Sequence, residues 1–404
     1  MSTEARTSIA SHRRLAGSTV LLMSSKPDGA AHLRHSLDVA MALKRAGARA
    51  MIAAPDESAP APLAAAGVEW IPFHSPAANI FAMRRSARRL EMILTSERVD
   101  IVHAHSAAAA WCALAATEGL PVWLVTTLPE ALPSKWSPSG QFQSSLGRGD
   151  FVISHSSCAA GPMIRRFNIP SERVTIIPHP VDANLFDPAT MRPERVVALR
   201  QAWRVPKGDR VVLVPGPIAP SGGHDVLVSA VRKLSPKLLS GVTFMLMGDS
   251  GENARFARKL AQYVQRVGLD RTVRFAGPCR DWPAAIAASD LVVMPTTEAL
   301  LYGRPIPESQ AMARPVIASA IGILPENLLA PPRIPESLRT GWLVRPGDAA
   351  DLSNALNQAL SLDIAGYRAL VARARQFAEF MFSPQNTVAS VLGVYSRLLS
   401  GQGK

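Results

Sequence analysis

MPTTEALLYGRPIPESQAMARPVIASAIG, residues 294–322, runs through a strand end, a loop, an acidic helix start and a second strand in immediate succession. The apolar run Leu291-Val292-Val293-Met294 leading into it has the continuity of a strand buried on both faces, and Val316-Ile317-Ala318 repeats the pattern. Between them Pro307-Glu308-Ser309-Gln310-Ala311-Met312 starts a short helix. A strand-loop-helix-strand unit pairs its strands in parallel. Its loop then lies at the carboxyl edge of the sheet, where open α/β folds bind ligands.

Working outward, the same alternation fills the chain. Strands are predicted at Val20–Met23, Ala50–Ala54, Val68–Phe73, Ile101–His103, Val122–Thr126, Phe151–Ile153 and Val174–Ile177, with helices between them. The segment IPHPVDANLFDPATMRPE, residues 177–194, is rich in proline and turn residues and breaks the series. A second series follows at Val211–Val214, Val242–Met247, Val273–Phe275, Leu291–Met294, Val316–Ala318 and Trp342–Val344. The expected fold class is α/β, with two doubly wound Rossmann-like domains facing each other across a cleft. The expected divisions are a disordered polar leader at 1–17, domains at 18–185 and 186–381, and a last helix at 382–404 that crosses back to the first domain.

Composition agrees with two domains: 404 residues exceed one ordinary core. With 48% hydrophobic and 19% charged residues, and no apolar run long enough to span a bilayer, the chain reads as soluble and globular. The first 17 residues contain no apolar segment of signal-peptide type, so the expected location is the cytoplasm, with room for peripheral attachment at the inner membrane face. Cys112, Cys158 and Cys279 are scattered and give neither a disulfide framework nor metal-ligand spacing.

A formal charge of +13 calls for an anionic partner. Nucleic acid is set aside, because no binding motif is present and aromatic residues make up only 6%. Phosphorylated substrates and acidic membrane surfaces remain. The densest basic cluster, Arg84, Arg85, Arg88 and Arg89, sits in an amphipathic stretch from Ile80 to Leu94. Two readings stay open for it: a helix packed on a sheet with its arginines in water, or one lying against anionic headgroups. His103 and His105 form an HxH pair at a strand end, and without carboxylate or cysteine companions they read as cleft-lining side chains rather than metal ligands. No dinucleotide fingerprint and no P-loop occurs.

The assembled motifs resemble those of family 4 glycosyltransferases, of the GT-B fold, over Val20 to Leu399. The residues carrying the resemblance are Glu298, Gly303 and Glu308-Ser309-Gln310-Ala311-Met312-Ala313-Arg314-Pro315-Val316-Ile317-Ala318-Ser319, Val99-Asp100-Ile101-Val102-His103-Ala104, Arg148-Gly149-Asp150, Met247-Gly248-Asp249, and Gly341-Trp342-Leu343-Val344. The resemblance implies transfer of a sugar from a nucleoside diphosphate donor to a glycan or lipid-linked acceptor, with retention, no metal ion and no other cofactor. It assigns the first domain to the acceptor, with His103 and His105 on that side. It assigns the second to the donor, with Glu308, Gly216, Gly303, Gly322 and Glu326 as binding residues beside Gly29 of the first domain; Arg280 is a further donor-side candidate, as a residue that could move into a position the family fills otherwise.

The chain also departs from the pattern. Where the family carries a basic pair, this sequence has Pro217 and Gly222; eight places before Glu308, where a second carboxylate is expected, it has Leu300, with Glu298 two residues away as a substitute. Pro129 stands at an expected histidine, and His224 and His179 lie in loops where positive charge is missing. A departing diphosphate needs positive charge or N–H donors, and loss of one such group costs about 3 kcal/mol. The sequence therefore carries two functional expectations: a working transferase, and an impaired pseudoenzyme that binds nucleotide sugar or regulates a partner.

Overall fold

A computed structural model describes residues 15–23, 30–55, 64–65, 67–75, 80–128, 140–300 and 303–401. Gly29, Pro129 and residues 1–14 of the expected leader lie outside the described residues. The chain divides into two compact units, residues 1–180 with 384–404, and residues 181–383.

In the first unit the described strands are β1 (Thr19–Met23), β2 (Arg49–Ala54), β3 (Glu69–Pro72), β4 (Ile101–Ala104), β5 (Trp123–Thr127), β6 (Phe151–Ser154) and β7 (Val174–Ile176). They form a parallel sheet in the order β3-β2-β1-β4-β5-β6-β7. Successive residues of a strand face opposite sides. Val20 and Leu22 accordingly join a core with Val39, Leu43 and the terminal helix, while Leu21 and Met23 join another with Leu90, Leu94 and Cys112.

The terminal helix, Pro384–Leu399, belongs to this unit. Its buried Val388, Val391, Leu392, Tyr395 and Leu398 recur at helical spacing and pack with Val20, Leu22 and Ile101. Full burial of such side chains contributes roughly 1.5–3 kcal/mol each. Two expectations need correction. Leu15, within the expected polar leader, is fully buried in this same core. Phe382, expected in the last helix, instead packs with Val181, Phe186 and Met312 of the second unit, and its carbonyl accepts from the Val181 N–H at 2.8 Å.

In the second unit the described strands are β8 (Arg210–Pro215), β9 (Val242–Met247), β10 (Val273–Phe275), β11 (Leu291–Met294), β12 (Val316–Ser319) and β13 (Gly341–Val344). The order is β10-β9-β8-β11-β12-β13, again parallel. Residues of β11 are buried throughout, as a strand covered on both faces requires.

One device recurs in both sheets. Asp100, Asp150 and Asp290 each precede a strand, and each carboxylate accepts the N–H near the start of a neighbouring strand: Thr19 at 2.7 Å, Leu124 at 2.8 Å and Val211 at 2.8 Å. These bonds satisfy edge donors that the ladders leave unpaired. They also give Val99-Asp100-Ile101 and Arg148-Gly149-Asp150 a structural reason for their residues. In each unit the chain moves outward from a central strand and returns beside it, β1 next to β4 and β8 next to β11. Ligand crevices of open α/β sheets form at such reversals.

Candidate functional site

In the second unit the β8/β11 reversal brings two loops together. Thr297 N–H donates to the Ser221 carbonyl at 2.9 Å, and Thr296 Oγ1 donates to the same oxygen at 2.8 Å. The loop after β11 is tied in turn to the loop after β12: Ile323 N–H donates to the Leu300 carbonyl at 2.9 Å, and Asn327 Nδ2 to the Gly303 carbonyl at 3.3 Å. Gly322 makes that contact feasible, since its φ is +62° and a Cβ there would lie 2.3 Å from the Leu300 oxygen. The segment after β11 is thus held from both sides.

Glu308 lies in the first turn of the helix Pro305–Ala311 and is only 3% exposed. Both carboxylate oxygens are engaged. Trp282 Nε1–H donates to Oε2 at 2.5 Å, and Arg304 Nε–H donates to Oε1 at 2.9 Å. Burial pushes the Glu308 carboxyl above its ordinary range, while the Arg304 charge and the indole donor work against that rise. In its ionised form such a carboxylate only accepts, which suits hydroxyl donors such as those of a ribose or a sugar. Arg304 and Trp282 are absent from the sequence-based candidates. Arg304 carried a signal, its four-residue spacing from Glu308 on a helix. Trp282 carried none, because it opens a separate helix, Trp282–Ala287, far from Glu308 in the chain.

The other donor-side candidates occupy the same edge with different surroundings. Gly303 is buried, Glu326 is half-buried in the turn Leu324–Glu326, and Arg280 is exposed beside Asp281, whose carboxylate is held by Arg195 at 2.5 Å. Gly216 has φ +129° and its N–H donates to the Met247 carbonyl at 3.0 Å. Glu298 is exposed. Leu300 is half-buried and packs against the core that contains Met245, Met247 and Ile306. At Gly222 a Cβ would lie 2.5 Å from His224 Cε1, so the buried imidazole fills the space that a longer side chain at 222 would need. Burial lowers the His224 pKa to about 4, against the opposing pull of the Ala219 carbonyl and Asp225. His224 is therefore neutral near pH 7 and supplies no fixed positive charge.

In the first unit His103 is 2% exposed inside β4. Its Nδ1 lies 2.7 Å from Tyr395 Oη of the terminal helix, and its Nε2 lies 2.7 Å from Thr127 Oγ1 of β5. A neutral imidazole donates through one nitrogen and accepts through the other, so one hydroxyl donates to the ring and the other accepts from it. Burial holds its pKa well below the usual range, reinforced by His105, His35 and His155. The His105 ring stands 4.1 Å from that of His103, half-buried at the strand end. His103 is thus a structural polar link, and His105 is the member of the pair at the edge. Among the described residues no group of three or more histidine, cysteine or acidic side chains is arranged to hold a metal.

Comparison with known proteins adds the following. Residues 209–362 match the family described as Glycosyl transferases group 1, and residues 33–185 match Glycosyltransferase Family 4. A D-inositol 3-phosphate glycosyltransferase of Salinispora tropica is 29% identical over 262 residues, covering 63% of this chain and 52% of the relative. The chain spans about half the length of the curated relatives it matches first. Among solved structures, a glycosyltransferase of Rickettsia africae superposes with a TM-score of 0.75 at 23% identity over 95% of this chain and 98% of that one. Anabaena Alr3699/HepE in complex with UDP gives 0.70 at 23% identity over 94% and 99%. At these identities the two likenesses are of fold.

Proposed function

The chain belongs to the family 4 glycosyltransferases, of the GT-B fold, and from that premise we propose that it binds a nucleoside diphosphate sugar through its second unit and transfers the sugar to a glycan or lipid-linked acceptor with retention. The observation that carries this reading is Glu308, a buried carboxylate at the β11 edge whose oxygens already accept two N–H donors. Ribose hydroxyls would replace or join those donors, and hydrogen bonds to a charged group contribute roughly 1.5–3 kcal/mol each. Backbone N–H groups of the loops after β8 and β12 would face the phosphates. UDP in the Anabaena neighbour supports a nucleoside diphosphate as the donor class. The names of the curated relatives make a phosphorylated cyclitol one acceptor to assay.

The first unit supplies a membrane-facing candidate. On the helix Ile80–Ser96, Arg84, Arg85, Arg88 and Arg89 are exposed, along with Phe81 at 76% and Met92 at 65%. Phe81, Arg85, Arg88 and Met92 fall on one stripe at helical spacing, a basic and apolar face of the kind that seats on anionic headgroups. No helix among the described residues is long and apolar enough to cross a membrane.

A second reading is favoured by specific observations. Leu300 is apolar and packs on the core, and His224 is neutral, where the reaction needs charge. A pseudoenzyme that binds nucleotide sugar without transferring it fits those two positions. Sugar transfer and donor hydrolysis with labelled UDP-, GDP- and ADP-sugars, using inositol phosphate and glycan acceptors, separates the readings. Turnover that is lost in Glu308→Ala supports the transferase. Donor binding without turnover in any combination supports the pseudoenzyme, and the absence of any donor binding overturns both.

A further inference from the structure

The loop after β8 lacks the fixed positive charge that a bound diphosphate requires, because Pro217 and Gly222 are neutral and His224 is uncharged near pH 7. Cations at this edge are mostly committed elsewhere. Arg195 holds Asp281 through two bonds, and Arg345 is paired with Asp348 and Asp351. Arg304 differs in its partner. It stands at the start of the helix Pro305–Ala311, one residue after buried Gly303, with a side chain 38% exposed. Its Nε–H donates to Glu308, the carboxylate to which the donor-binding reading assigns the ribose.

We propose that Arg304 is the diphosphate-binding cation of this chain, held by Glu308 until a donor arrives and then exchanged onto the phosphates as ribose hydroxyls take its place on the carboxylate. This rests on the donor-binding reading above. The exchange is balanced in donors and acceptors. Glu308 gives up one N–H and gains hydroxyls, keeping Trp282 Nε1–H on its other oxygen, so the buried carboxylate is not stranded. The guanidinium leaves one carboxylate for a doubly charged group that it can grip with two parallel N–H bonds. A carboxylate that must release a cation before it can accept a ribose also makes nucleoside and diphosphate binding cooperative within one ligand. A nucleoside alone would bring the hydroxyls but leave Arg304 with no anion to move to.

The test is calorimetric titration of the full chain with UDP, GDP and ADP and with the matching nucleosides. The quantity read is the ratio of nucleoside Kd to diphosphate Kd, which isolates the phosphate contribution. Arg304→Met should lower that ratio at least ten-fold, and Arg304→Lys should restore part of it. The same drop is expected in a Glu308→Gln background, where the ion pair no longer exists. A ratio unchanged by Arg304→Met in the otherwise native chain overturns the proposal while the donor-binding reading stands. A drop confined to the native background assigns Arg304 to orienting Glu308 and overturns it as well. If none of the three diphosphates binds the unaltered chain, the donor-binding reading and the proposal fall together.

Discussion

Burial raises the Glu308 pKa while two neighbours, Arg304 and Trp282, oppose that rise, and the balance is open to change. Trp282→Phe deletes the indole donor that lowers the carboxyl pKa, leaving burial to push it up further. Nucleotide affinity of that variant should fall more steeply than that of the native chain between pH 8 and pH 5, and recover on the alkaline side; Kd against pH measures it. His224 gives a second pH effect, of stability. Its pKa falls from 6.5 to about 4 on folding, so the unfolded chain takes a proton that the folded chain refuses. Stability is then full above pH 6.5 and is lost as pH drops toward 4, by about 3 kcal/mol at most. His224→Leu should flatten that slope in urea titrations at pH 7.5 and pH 4.5. At this scale the sequence showed Glu308 because it stands in a helix start inside a family motif. It could not show Trp282, which opens a different helix, nor that half-buried Leu300 packs on the core, because that placement is held by the loop after β12.

Between residues and the molecule lie elements whose edges carry the chemistry. The inner strands of both sheets, such as β1, β9 and β11, were legible as continuous apolar runs, since burial on both faces removes any need for polar alternation. Their flanking aspartates were visible only as motif matches, and the structure gives them a cause in the N–H groups of Thr19, Leu124 and Val211. Asp290→Ala should lower the stability of the second unit by about 1.5–3 kcal/mol, the worth of a hydrogen bond to a charged group, as read by chemical denaturation. The helix Ile80–Ser96 was legible as amphipathic, but its two readings divide on what covers the outer face. Its Arg84, Arg85, Arg88 and Arg89 replaced by serine should abolish co-sedimentation with vesicles containing about a third anionic lipid and leave the melting temperature within a few degrees of the native value. Equal sedimentation of both proteins would remove the membrane reading.

At the scale of the whole molecule, two α/β units carry one family's architecture, and the last sixteen-residue helix is integral to the first of them. A chain ending at Ser383 loses Val388, Val391, Leu392, Tyr395 and Leu398 from the first core, together with the hydroxyl that meets His103. Residues 1–180 of that shortened chain should become sensitive to proteolysis while 181–383 stay resistant. Fold class was legible here because the order of strands and helices admits few topologies. The balance of chemistry was less so, because it depends on which buried groups find partners across loops. The account's central claim is that Glu308 marks a nucleoside diphosphate site, and calorimetry of the unaltered chain and of Glu308→Gln with UDP, GDP and ADP tests it most directly. The account predicts that at least one of the three binds and that Glu308→Gln weakens it about ten-fold or more. Binding that is indifferent to Glu308→Gln, or no binding by any of the three, would contradict it.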